Sequence, residues 1–69
     1  MTRKQKLLKK CREEVDDGNK VSVRKLSQEL SWLEEDVHRL LNSLEKDGDI
    51  ETYTKEVFGS RQRFVSVYR

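Results

Sequence analysis

Residues 21–50, VSVRKLSQELSWLEEDVHRLLNSLEKDGDI, read as a short helix, a tight turn and a longer helix that passes into strand-like sequence. Leu26 and Leu30 share one face of the short helix. Val37, Leu40, Leu41 and Leu44 make the apolar stripe of the longer one. Between them Ser31 precedes Glu34 by three residues, the spacing of a capping box in which two side chains satisfy free N–H groups of a new helix. Gly48 supplies the left-handed residue that ends that helix.

Outward from this stretch the pattern stays regular. Leu7, Leu8, Cys11 and Val15 fall on one side of a first helix, and Asp16–Asn19, DDGN, is a stop-and-turn signal. After Gly48 the periodicity changes from helical to alternating, and 50–58 and 61–69 are rich in β-branched and aromatic residues. Gly59-Ser60 suits a two-residue type II′ turn with glycine first. In that register Glu56 pairs with Arg63, Ile50, Val65 and Val67 share the inner face, and Tyr53, Val57, Phe64 and Tyr68 share the other. An exposed aromatic face of this kind marks a homodimer interface as the sharper expectation; the blander one tucks the aromatics against helix one.

The short helix VRKLSQEL, the longer helix LEEDVHRLLNSLEKDG and the following IETYTKEVFGSRQRFVSVYR resemble the winged helix-turn-helix superfamily. The resemblance implies an α+β fold: a three-helix winged helix-turn-helix with a C-terminal two-stranded β-hairpin wing. It places one domain over 1–69, with helix one at about 3–16, helix two at about 23–30, the recognition helix at about 32–47 and the wing at about 50–69. It also implies that Val21–Val23 contributes a short edge strand pairing with the wing. Members of the superfamily read DNA with the second helix of the motif, and some have become protein-binding modules, so fold alone leaves both open.

The chain of 69 residues allows one small domain, which buries only about 60% of its unfolded surface. Hydrophobic residues make up 33% and charged residues 41%, so almost every aliphatic residue is needed in the core and dimerisation would relieve the shortage. There is no apolar run of membrane-spanning length, and the first ten residues are basic and polar, unlike a signal peptide; the expectation is a cytoplasmic protein without membrane contact. One cysteine and one histidine exclude an intrachain disulfide and a Cys/His metal cluster, and no cofactor is expected. Cys11 reads as a small buried hydrophobe rather than a redox sensor.

The net charge of +2 hides a segregation. Arg3, Lys4, Lys6, Lys9, Lys10 and Arg12 occur without an acid in residues 1–12, as do Arg61, Arg63 and Arg69 in residues 58–69. The middle is acidic, with Glu34, Glu35, Asp36, Glu45, Asp47, Asp49 and Glu51 against Arg39 and Lys46. Distribution rather than the total decides what such a surface attracts.

With the aliphatic stripe of the longer helix turned inward, Glu35, Arg39, Asn42 and Lys46 face out, flanked by His38 and Ser43. Arginine can bond guanine O6 and N7 together and asparagine adenine N6 and N7, so Arg39 and Asn42 are the first candidates for base contacts. Glu35 is a candidate partner for a cytosine amino group. The competing reading is a solvated face with a Glu35–Arg39 pair at i, i+4. At the wing tip Arg61, Gln62 and Arg63 suit a narrow minor groove, while Arg24 and Lys25 at the start of helix two suit backbone phosphates. If Arg63 is taken by Glu56, Arg61 is the freer of the two. The lysines of helix one read mostly as a solvated outer face, and Trp32 as a hydrophobic plug in the turn. The acids 34–36 oppose phosphate but complement the positive end of a helix, which is the commoner role.

There is no nucleophile–base–orienter set, no glycine-rich phosphate loop and no paired-carboxylate pocket, so no enzyme is expected. The expectation is a double-stranded DNA-binding protein acting as a small transcriptional regulator, with a homodimer formed through the aromatic hairpin face or helix one. The alternative is a protein-interaction module of a replication, transcription or repair assembly, in which Glu34, Glu35 and Asp36 meet a basic partner.

Overall fold

The computed structural model describes residues 2–67, Val67 through its backbone alone. The elements run α1 (Arg3–Asp16), β1 (Val21–Ser22), α2 (Val23–Leu30), α3 (Glu34–Lys46), β2 (Ile50–Val57) and β3 (Ser60–Val67). This is an α+β arrangement of three helices and one three-stranded antiparallel sheet in the order β1-β3-β2. The hairpin is therefore not a free two-stranded ribbon. Its second strand is the middle of the sheet, with β1 paired along its other edge at Val21↔Val65 and Ser22↔Phe64.

The helices pack because their apolar stripes meet the inner face of the sheet. Leu7 and Cys11 of α1, Leu26 of α2, Val37, Leu41 and Leu44 of α3, and Val21, Val23, Ile50 and Val65 form one buried cluster. Leu8, Val15, Leu30, Trp32 and Leu40 pack on it half-buried. A fully buried leucine contributes about 2 kcal/mol, so the four with almost no exposed surface, Leu7, Leu26, Leu41 and Leu44, supply much of what holds so small a chain together.

Two helix ends share one device. Gly18 and Gly48, at φ +79° and +82°, follow α1 and α3. The amides of Asn19 and Gly18 bond the carbonyls of Glu14 and Val15, and those of Asp49 and Gly48 bond Leu44 and Glu45. These are Schellman closures, which satisfy carbonyls the helix leaves orphaned. Helix α1 opens on a capping box between Thr2 and Gln5, and the Ser22 hydroxyl accepts from the Lys25 amide at the start of α2.

Two expectations fail here. Ser31 does not cap α3. It ends α2 in the left-handed conformation (φ 56°), and α3 starts at Glu34 after Leu33, with no side-chain cap. Glu34 is then the first helical residue, two positions before the third, where a box closes. Glu34, Glu35 and Asp36 act on that first turn through charge alone.

The hairpin turn is Phe58-Gly59, not Gly59-Ser60. Val57 pairs with Ser60, and both turn residues have positive φ (51° and 79°), as a type I′ turn requires and II′ does not. Glu56 consequently faces Arg61, and Arg63 faces Thr54. The shift is two residues, an even number, so each side chain keeps its expected face. Ile50 and Val65 are buried inward, while Tyr53 stacks on Phe64 on the outer side with ring centroids 5.6 Å apart. Phe64 is itself buried, so the outer apolar patch is reduced to Tyr53 and half-buried Val57; Tyr68 of that face lies outside the described residues, as does Arg69.

Candidate functional site

Helix α3 and the hairpin diverge around a cleft of about 620 Å³. Its basic lining comes from three elements: Arg24 from the first turn of α2, His38 from α3, and Arg61 and Arg63 from β3. Val23, Thr54, Ser60 and Gln62 complete the walls, and Glu34 is the single acid among them. The topology explains the convergence. Placing β3 in the middle of the sheet sets its inward arginines opposite the start of α2 and the flank of α3.

Arg63 is fixed rather than free. Its Nη2 donates to Asn42 Oδ1 at 2.9 Å and lies 3.8 Å from Glu45 Oε1, while Nη1 is 3.2 Å from His38 Nδ1. A guanidinium can only donate, so that last contact needs an unprotonated Nδ1. Glu45 in turn accepts from both the amide and the hydroxyl of Thr52, at 2.9 and 2.7 Å. Those two bonds, and secondarily the charge of Arg63, hold the Glu45 carboxyl below its ordinary value. The Thr52 amide would otherwise be open at the edge of β2, so Glu45 covers part of an exposed strand edge.

Arg61 and Arg24 are exposed and make no ion pair among the described residues, which leaves two free cations, from β3 and α2, in the lining of the cleft. Arg39 and Lys46 stand exposed on α3 but do not line it. Arg39 donates to Glu35 at 2.9 Å, both side chains 73% exposed, so the i, i+4 pair weighed against base contact is formed. Such a pair contributes a few tenths of a kcal/mol and opens readily. Asn42 is exposed but engaged by Arg63, and Ser43 and Gln62 are half-buried.

Lys25 points elsewhere. Its ammonium lies 3.2 Å from Glu14 Oε2, and Lys10 reaches Glu14 at 3.0 Å and Glu29 at 3.4 Å. Lys10, Lys25 and Asn19, in that order, hold the Glu14 carboxyl down at about 2. This cluster ties α1 to α2 and withdraws Lys25 from the cleft. Lys4 pairs with Asp47, and the Arg3 guanidinium lies over Trp32, 5.7 Å from its ring centroid. Of the basic residues of α1, Lys6, Lys9 and Arg12 are exposed without an ion pair among the described residues.

Among the described residues no group of three or more His, Cys, Asp or Glu side chains is placed to hold a metal ion, and no helix is long and apolar enough to cross a membrane. With Arg24 and Arg61 unpaired in its lining, the cleft can attract an anion. Comparison with known proteins finds no matching family model, no matching curated protein and no matching solved structure.

Proposed function

We propose that this chain is a winged helix that binds double-stranded DNA and serves as a small transcriptional regulator. The observation that carries the reading is the cleft in which Arg24, His38, Arg61 and Arg63 converge from α2, α3 and the hairpin. In this reading the exposed face of α3 enters the major groove, with Arg39 released from Glu35 to a base edge. The hairpin lies along the adjacent minor groove, and Arg24 and Arg61 take phosphates on either side. The protein is not an enzyme and needs no cofactor in this account. A homodimer through the outer hairpin face or α1 belongs to the same proposal, and sedimentation as a monomer at high concentration removes it.

The test is fluorescence anisotropy with random and genomic-fragment duplexes over a salt series. Wild type should lose affinity linearly in log salt, and Arg61→Ala should lower that slope by about one. Absence of binding at low salt overturns the reading.

A protein-binding role is the second reading. It is favoured by one observation: Glu34 lines the same cleft, next to exposed Glu35 and half-buried Asp36. A partner basic enough to meet three acids would bind where DNA is repelled, and Glu34→Gln would weaken that partner while strengthening DNA.

A further inference from the structure

The residue of the hairpin that local energetics would least choose is Phe58. A two-residue turn with positive φ at both positions favours Asn-Gly or Asp-Gly, because a Cβ is strained there and only a short polar side chain offsets the strain locally. Phe58 holds φ 51° in that place. Its side chain is also fully exposed, so no packing compensates for the strain or for an unburied phenyl ring. Tyr53 and Phe64, on the same hairpin, do find each other.

The tip also stands away from the core. Ile50 and Val65 are the last deeply buried inward residues, and beyond Thr52 the inner face carries Thr54, Glu56, Arg61 and Arg63. From Thr54 to Val57 the strand advances about 10 Å at roughly 3.4 Å per residue. An aromatic ring is thus carried on an arm whose inner flank presents Arg61 and Arg63 to the cleft. Phe58 does not line the cleft itself; it sits in the turn next to Ser60 and Arg61, which do.

We infer that Phe58 is a wedge: when duplex DNA is bound with its phosphates at Arg24 and Arg61, the ring enters the minor groove and intercalates partly between two stacked base pairs, kinking the duplex. Apolar side chains unstack base steps in this way, and pyrimidine–purine steps yield most easily. The inference rests on the DNA-binding reading and adds to it a deformation of the DNA and a residue that causes it. The charge around the tip holds the backbone, and the ring supplies the bend.

The experiment uses the full chain and A·T-rich duplexes of about 20 base pairs with 2-aminopurine tiled through the successive steps, together with end-labelled duplexes for energy transfer. Anisotropy on the same duplexes establishes binding. Wild type should raise 2-aminopurine emission at one step or a few and bring the duplex ends closer. Phe58→Asn, whose side chain suits the turn, should fold with a raised urea midpoint, keep the salt slope, and lose both signals. Phe58→Trp should keep them. Binding by wild type without either signal, or signals unchanged in Phe58→Asn, overturns the wedge and leaves the DNA reading standing. No binding by wild type at 50 mM salt overturns both.

Discussion

Arg63 of β3 donates from Nη2 to Asn42 Oδ1 of α3 at 2.9 Å, a bond that joins the hairpin to the face of the helix beside it. Both residues were candidates for DNA contact, and in the free protein each occupies the other. The Arg63 side chain is only 17% exposed, and its second terminal nitrogen meets His38. Its role in the unbound chain is that of a strut setting the angle of the hairpin to α3. Arg63→Ala should therefore cost about 1–2 kcal/mol in urea denaturation, the lower part of the range for bonds to charged groups because the site is partly open. Arg61→Ala should change stability by less than about 0.5 kcal/mol while reducing DNA affinity. A cycle combining Arg63→Ala with Asn42→Ala should show coupling of about 0.5 kcal/mol or more; additivity would dissolve the strut.

The strained turn gives a prediction independent of any ligand. Replacing Phe58 with Asn puts a residue that tolerates the left-handed region before Gly59, as the turn type prefers. With nothing packed on the ring, no contact is lost. Phe58→Asn should stabilise the chain by about 0.5–1 kcal/mol, and Phe58→Val, β-branched at positive φ, should destabilise it. An unchanged or lowered midpoint for Phe58→Asn would mean that the ring makes a stabilising contact in solution.

Periodicity and composition carried most of the architecture in this chain. The apolar spacing of Leu7, Cys11, Leu26, Val37, Leu41 and Leu44 marked the inward faces, and Gly18 and Gly48 marked where helices stop. Such signals are local, and local sequence determines them. The two misplaced details were also local but degenerate: Ser31 can end one helix as readily as begin the next, and a lone Gly59 suits either position of a hairpin turn. At the cleft, the polar face of α3 and the glycine turn of the hairpin are legible in the sequence, and they single out His38, Arg61 and Arg63. The pairing of Lys25 with Glu14 and of Arg63 with Asn42 was not, because each depends on the angle between two elements, which no window of sequence contains. Glu45, which caps the Thr52 amide, was missed for the same reason.

The clasp of Glu14 by Lys10, Lys25 and Asn19 makes stability depend on acid pH. Its carboxyl is lowered from 4.5 to about 2, so the folded chain binds that proton less readily than the unfolded one. The stabilisation is then fully present above the unfolded value and is lost as pH falls from about 4.5 towards about 2. Glu45, also held below its ordinary value, chiefly by its bonds from Thr52, contributes stability that is likewise lost on acidification. The urea midpoint should fall between pH 5 and pH 2.5, and Glu14→Gln should be less stable at pH 6 yet show a flatter decline. Parallel curves for the two proteins would show that the clasp contributes nothing.

Cys11 tests how tightly the core is closed. It has no exposed surface, it lies among Leu7 and its neighbours in the core, and burial pushes its thiol up to about 12. Alkylation needs a thiolate that a reagent can reach, and the folded chain provides neither. Iodoacetamide at pH 8 should consequently react only through opening of the α1 packing. With a folding free energy of roughly 3 kcal/mol, expected for so small a core, the reaction should run about a hundredfold slower than in the urea-unfolded chain. Sub-denaturing urea should accelerate it in proportion to the unfolded population, since global opening exposes α1. Reaction at the unfolded rate in buffer would instead show that α1 detaches freely, and would make Cys11 available for oxidation in the otherwise folded protein.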